Sequence, residues 1–458
     1  MLCYNGGMKT GGVSGIAHIV AVNMGYGHER PAHVLRPLAV NNEVIVANDY
    51  EGIPESDRKL WEGGRKIYEK ISRFKRVPVL GGLVFGILDD LQKIPPFYPR
   101  RDLSSPNLQL RETYALIRHK NHMKHLIEKL AEDPRPLVCT FSPPAFAAEE
   151  FGYPDEIFCL ATDADISRAW APMDPKSSRI RYFAPNGRVV ERLKLYGVQD
   201  KNIELTGFPL PMGLVGGTEA TIALSDLKQR ICNLDPNGIF ISHTGQALTA
   251  YLGAGYCSAV KKSKSKAIEI AFAVGGAGAQ REIGVTIAKS LMREIKQGKI
   301  VLHLVAGTRP EVAQYFEEEL REMGLAGMIK KGQVNVLFEK DRQAYFDRFS
   351  ALMRQIDILW TKPSELSFYT GLGIPIIMAP AVGSQEDYNR HWLQQIGGGV
   401  DQLDPRYTNE WLFDWIESGA LARMAWNGFI EAPTHGTYRI ADILLGRPNT
   451  IHDLPLVV

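Results

Sequence analysis

Nothing in this sequence spells a CxxC pair, a lysine-bearing phosphate loop, or an apolar run long enough to cross a membrane. Its five cysteines, Cys3, Cys139, Cys159, Cys232 and Cys257, are odd in number and scattered. That speaks against a disulfide framework and for a reducing compartment, so a cytoplasmic protein is expected. The opening stretch MLCYNGGMKTGGVSG has no apolar h-region, and no signal peptide is expected. The longest apolar candidate, Val77–Leu88, has 12 residues and contains three glycines and a proline, well short of the roughly 20 that a membrane-spanning helix needs. A net charge of +2 gives no global argument for nucleic acid, and no nucleic-acid partner is expected.

The chain is long instead, and strongly patterned. Its 458 residues suffice for two domains. Short apolar runs recur, each closed by a turn and most followed by a helical pattern, which indicates βα units and a mainly parallel sheet. Strands are expected near 16–22, 44–47, 137–140, 157–161, 181–183 and 203–205, and again near 270–274, 300–305, 334–336, 356–360 and 374–378. Two such sets predict an α/β protein of two Rossmann-like, doubly wound domains facing a cleft. The aperiodic, Pro/Gly-rich TGFPLPMGLVGG (206–217) marks the break. The expected organisation is a flexible N-terminus (1–15), a first domain (16–215), a second domain (216–446) with an insertion at about 237–266, and a tail (447–458).

The chemistry-bearing turns stand at the C-terminal ends of the expected strands, the edge at which parallel sheets bind ligands. Gly275-Gly276-Ala277-Gly278 follows the strand IEIAFAV and precedes a helix. Glycines let the backbone approach an anion and a helix N-terminus offers N–H groups, so a phosphate contact is expected there, against the plainer reading of a tight turn. The first turn, GYGHERPA, differs. Gly25 and Gly27 fit a dinucleotide fingerprint, but Arg30 stands where its third glycine belongs. His28 lies at the helix entrance with Pro31 at a plausible first-turn position. Helical N–H groups there would favour a neutral imidazole able to accept a proton; a purely structural histidine is the alternative.

Taken in order, these turns resemble the GT-B glycosyltransferases, nearest the branch of monogalactosyldiacylglycerol synthases and the peptidoglycan lipid-intermediate N-acetylglucosaminyltransferase. The motifs are GYGHERPA, TDADISRAW, ELTGFPLP, VGGAGAQ and WTKPSELSFYTGLGIPIIMAPAVGSQEDYN. They cover about residues 16–399, the insertion excepted. The resemblance implies a second domain that binds a nucleotide-sugar donor, UDP-linked, and a first domain that binds the acceptor. It implies a hexosyl transfer with inversion that needs no metal. It assigns the donor diphosphate to Gly275, Gly276, Ala277 and Gly278, with Thr361, Lys362 and Ser364 beside them. Gln385, Glu386 and Asn389 match the branch's Q-E-x-x-N loop and suit sugar and ribose hydroxyls. The branch's ribose-binding glutamate falls on Phe368 here, and Glu365 or Ser367 would substitute. On the acceptor side Gly25, Tyr26 and Gly27 form the wall, and His28 is the candidate base, with Asp163 as its competitor or as the group that orients the acceptor.

Two further stretches bear on the acceptor. Arg65–Arg76 carries six basic residues and one glutamate, with Ile67, Ile71 and Phe74 on one helical face, and the apolar Val77–Leu88 follows. Residues 65–88 would suit a peripheral contact with anionic lipid, hence a lipid acceptor; a surface helix packed on the first domain is the alternative. His119, His122 and His125, three apart among basic residues, are expected on a solvated helix and not as metal ligands. Asp163-Ala164-Asp165 spells D-x-D, a metal motif of another glycosyltransferase fold, and is not expected to bind one here. A nucleotide-sugar 2-epimerase of related fold and a non-catalytic sugar-nucleotide-binding protein are the competing functions.

Overall fold

In the computed structural model, described residues are 15–74, 94–255, 267–275, 278, 280–381 and 383–447, with side chains not described for 65–74 and Ser384. The first sheet is built from β1 (Ala17–Ala21), β2 (Ala39–Val46), β3 (Leu137–Cys139), β4 (Ile157–Leu160), β5 (Arg181–Ala184) and β6 (Ile203–Leu205). All pairs are parallel and the order is β2-β1-β3-β4-β5-β6. The second sheet holds β7 (Ile268–Ala273), β8 (Ile300–Gly307), β9 (Val334–Phe338), β10 (Ile358–Thr361), β11 (Ile376–Met378) and β12 (Gly399–Asp401). It too is parallel, in the order β12-β11-β10-β7-β8-β9. Read from the other edge this is the Rossmann order 3-2-1-4-5-6.

The central strands are continuous apolar runs because helices cover both faces of a parallel sheet. β1 and β10 are buried at every position. Trp360 of β10 is fully buried. Its ring meets Phe272 at 6.4 Å and Trp411 at 5.3 Å, and its indole N–H donates to Gln402 Oε1 at 2.8 Å. Every expected strand is present. β12 was not expected: it has three residues and follows a run of glycines, so it carries no pattern of its own.

The chain divides into two compact units, Met1–Leu210, Val382–Asn389 and His435–Val458 in one, Pro211–Ala381 and Arg390–Thr434 in the other. This corrects the expectation that everything from 216 to 446 belongs to the second domain. Helix Gly436–Leu444 packs in the first unit: Thr437 Oγ1 donates to Leu210 O at 2.5 Å, Arg439 Nη1 to Thr206 O at 3.0 Å, and Ile440 and Leu444 join the core of β1, β3 and β4. A side chain on Gly436 would meet Phe208 O at 2.1 Å, so only glycine allows this approach.

Other local expectations change. The insertion contains a helix, Ile239–Leu252, started by Asp235, whose carboxylate accepts from Ile239 N at 2.8 Å and Ile241 N at 2.9 Å. Phe240, Leu248 and Leu252 anchor it to the second unit's core. The three histidines do not share a helix. Helix Leu108–Lys120 ends at Asn121 (φ 52°), and Met123 (φ 66°) starts helix Lys124–Ala131. His122, in the break, is buried against Asp57 at 3.3 Å, and Trp61 meets its ring at 4.9 Å. His125 Nδ1 hydrogen-bonds the Tyr50 hydroxyl at 2.8 Å. Cys139 and Cys159 are buried free thiols, whereas Cys232 is disulfide-bonded, which corrects the expectation of a chain without disulfides: spacing along the sequence does not show which cysteines the fold brings together.

Candidate functional site

In the first unit, β1 runs into Val22-Asn23-Met24-Gly25. Asn48 clamps this exit to the end of β2, its side chain accepting from Asn23 N at 2.9 Å and donating to Asn23 O at 3.3 Å. Gly25 then takes φ 134° and ψ 161°, a conformation that L side chains rarely adopt, and helix Tyr26–Leu35 starts at once. Because it starts there, Pro31 lies inside the helix and not in its first turn. Arg30, at the broken fingerprint position, is buried.

His28 stands on this helix where the strand order reverses, between β1 and β3. Its Nδ1 lies 2.9 Å from Thr140 O, and Thr140 Oγ1 donates to His28 O at 2.7 Å. A carbonyl can only accept, so Nδ1 carries the proton and the neutral ring's basic lone pair is on Nε2. Phe141 (4.7 Å) and Trp170 (6.1 Å) flank the ring. The first turn thus fixes an imidazole's tautomer and plane, which is what a general base requires.

The turn after β4 carries Asp163, Ala164 and Asp165. Asp165 is buried and accepts from Arg192 Nε and Nη2, both at 2.8 Å, and from Arg188 Nε at 3.0 Å. Burial works against the charge on Arg192, and Asp165 outweighs it, so the guanidinium's pKa is raised. Asp165 is therefore an ion-pair centre and not half of a D-x-D metal site. Phe97 stacks under Arg188, 3.8 Å from its guanidinium carbon. Asn186 holds the same turn, donating to Ala164 O at 3.0 Å while capping the helix Gly187–Leu195 through Val189 N at 2.9 Å. Arg188 and Arg192 were not singled out from the sequence. Their i, i+4 spacing just after an Asn-Gly helix start was the available signal.

Asp163 is half-buried, and its Oδ1 accepts from Asn389 Nδ2 at 2.9 Å. Asn389 Oδ1 in turn accepts from Ala164 N at 2.7 Å. Asn389 belongs to helix Ser384–Gln395, whose first residues, through Asn389, count with the first unit. Glu386 is buried in that helix's first turn, where a carboxylate suits the helix dipole, and Gln385 folds back beside Gly383. The structure thus groups Gln385, Glu386 and Asn389 with the unit that holds His28 and Asp163.

In the second unit, β7 and β10 are neighbours at the reversal of strand order. Gly276 and Ala277 lie outside the described residues. The turn closes tightly, Gly278 (φ 68°) donating its N–H to Gly275 O at 2.7 Å. Lys362, just after β10, lies against Gly275: a Cβ there would fall 2.5 Å from its Cε and 3.2 Å from its Nζ. Helix Arg281–Ser290 follows, brought close to the sheet by Gly284, where a Cβ would meet Phe272 at 2.8 Å. Gly284 performs the close-packing role of a fingerprint's third glycine, and the sequence reading missed it. Thr361 is buried, and its hydroxyl donates to Ala273 O at 3.2 Å, which ties β10 to β7. Ser364 precedes the 3-10 helix Glu365–Leu372, in which Glu365 and Ser367 are both buried. Among the described residues, no group of three or more His, Cys, Asp and Glu side chains could hold a metal ion.

Two parallel doubly wound sheets with ligand-edge turns at both switch points define a protein of two Rossmann-like domains. A family model described as a domain of unknown function (DUF6938) matches residues 257–442. No curated protein matches the chain. Among solved structures, the Acinetobacter baumannii MurG is similar at 13% identity, with 94% of this chain and 99% of that chain covered and a TM-score of 0.44. The S. aureus MnaA, in a co-structure with UDP, is similar at 12% identity, covering 96% and 99%, with a TM-score of 0.45. A putative UDP-N-acetylglucosamine 2-epimerase from Listeria monocytogenes is similar at 12% identity, covering 78% and 85%, with a TM-score of 0.44.

Proposed function

We propose that this chain is a UDP-sugar-dependent hexosyltransferase. The observation that carries the proposal is Lys362, whose ammonium end lies against Gly275 at the switch point of a Rossmann-order sheet. A glycine turn, a helix N-terminus and a lysine together suit a diphosphate. On this reading Gly275–Gly278 and Lys362 hold the donor diphosphate, with Ser364 beside them, and Glu365 serves the ribose. Gln385 and Glu386 meet the sugar. His28 Nε2 takes the proton of the acceptor hydroxyl, whose oxygen attacks the anomeric carbon as the UDP oxygen leaves, inverting that centre. The leaving charge is met by backbone N–H groups and Lys362.

The resemblance of the ordered motifs favours a lipid acceptor and a peripheral membrane contact through residues 65–88. The side chains of that stretch lie outside the described residues. No helix among the described residues is long and apolar enough to cross a membrane. Vesicle co-sedimentation with anionic and neutral lipids tests this part.

The test of the whole is a thermal-shift screen against nucleotide sugars, followed by transfer assays on wild type and His28→Ala. The expected result is stabilisation by a UDP-sugar, transfer by wild type, and loss of transfer with donor binding retained in His28→Ala. Release of a free sugar epimer would mark a 2-epimerase instead, and binding without turnover a sensor. Absence of binding to any nucleotide sugar would overturn the proposal.

A further inference from the structure

We infer that Asn389 is a positioning residue for Asp163, and that it links the turn bearing Gln385 and Glu386 to the acceptor-side carboxylate. This rests on the UDP-sugar reading above. The resemblance alone would make Asn389 a ligand of the donor sugar; the hydrogen bonds give it different work.

Asn389 is wholly buried. Its amide orientation follows from its partners. The Ala164 N–H can only donate, so the group 2.7 Å away is Oδ1. The group 2.9 Å from Asp163 Oδ1 is then the NH2, which donates to the carboxylate. The side chain forms a two-point clasp, one bond to a backbone amide and one to the neighbouring carboxylate.

The rest of this turn is locked as well. Asn186 holds Ala164 O, and Arg188 and Arg192 hold Asp165. Asp163 is the half-buried member of an otherwise pinned loop, so its carboxylate is presented in one direction. Gln385 and Glu386 stand four and three residues before Asn389 on one helix, so all three lie along one face. A sugar drawn against Gln385 and Glu386 would therefore hold the same helical turn that orients Asp163.

The experiment is a cycle of Asn389→Ala, Asp163→Ala and the double variant, with UDP-sugar affinity by calorimetry and turnover by product analysis. Asn389→Ala is expected to lower kcat about 10- to 100-fold, the scale of a misplaced catalytic group. UDP-sugar Kd should stay within about twofold of wild type, and in the Asp163→Ala background the second substitution should cost nothing further. Should Asn389→Ala unfold, Asn389→Asp keeps the oxygen that accepts from Ala164 and replaces the NH2 donor. It is expected to show the same fall in kcat at unchanged Kd. A variant that loses donor affinity while kcat holds, or additive effects in the cycle, would overturn the inference and make Asn389 a donor ligand. Wild type that binds no nucleotide sugar would instead sink the UDP-sugar reading itself, so the two failures are distinct.

Discussion

Gly275→Ala adds one methyl group at a crowded point of the second unit's glycine turn. The new Cβ would stand 2.5 Å from Lys362 Cε and 3.2 Å from its Cδ. Favourable carbon–carbon contacts need about 3.5–4.0 Å, so the lysine stem has to shift by about 1 Å or more. Lys362 is a flexible side chain and can swing away, so the fold should lose little. On the proposed assignment the loss should fall on the diphosphate, since a charge-assisted bond to the ammonium would be worth about 1.5–3 kcal/mol. At 1.4 kcal/mol per tenfold, UDP should bind about 10- to 150-fold more weakly. Titration calorimetry with UDP on wild type, Gly275→Ala, Lys362→Met and the double variant is the assay. Each single variant should weaken binding, and the double should be no weaker than Lys362→Met, because both remove the same contact. A Gly275→Ala variant that binds UDP as tightly as wild type, or a double variant whose loss is the sum of the singles, would refute the assignment of Lys362 to the diphosphate.

Two further outcomes concern the first unit's stability. Asp165→Asn removes the carboxylate from the buried Arg192 and should destabilise the unit by about 3–5 kcal/mol, the cost of orphaning a buried charge; scanning calorimetry should show its transition fall by about 10 °C, and an unchanged transition would refute the pairing. Burial raises the pKa of Asp442, in the last turn of helix Gly436–Leu444. Its folded value then lies above its unfolded one, so stability falls as pH rises through the folded pKa and the penalty vanishes below the unfolded value. Asp442→Asn should raise Tm at pH 7 and leave it unchanged near pH 3, and the opposite pH dependence would refute the sign.

The sheets were legible because parallel strands buried on both faces write themselves as short apolar runs, and because the turns at their C-terminal ends are rich in glycine and small polar residues. His28, Gly275 and Lys362 were legible for the same reason: each stands next to a strand end. What the sequence hid depends on partners distant in the chain. Asp165 looks like half of a D-x-D pair until Arg188 and Arg192 are seen to meet it. His122 fits a helical spacing that breaks at Asn121 and Met123, whose left-handed backbone no periodicity announces. Helix Gly436–Leu444 reads as the close of the second domain, yet its position is set by Gly436 lying against Phe208 and by Thr437 bonding Leu210.

The two switch points are built differently, and that difference bears on which chemistry each performs. In the second unit the glycine turn meets a cation, and Thr361 ties the two flanking strands together, so an anion would be held by backbone and ammonium. The first unit's equivalent turn is GYGHERPA. It presents an imidazole whose Nδ1 proton is held by Thr140 O and whose ring is flanked by two aromatics. The Asn389 clasp likewise gives Asp163 Oδ1 a hydrogen-bond donor. A base with a fixed tautomer and an oriented carboxylate suit proton transfer from a hydroxyl, whereas the carboxylate would repel a diphosphate. On the proposed function, the reversal of strand order thus serves an anion in the second unit's Rossmann-order sheet and acid–base groups in the first unit's sheet, whose order is β2-β1-β3-β4-β5-β6. The broken glycine fingerprint at Arg30 is where the sequence records that divergence.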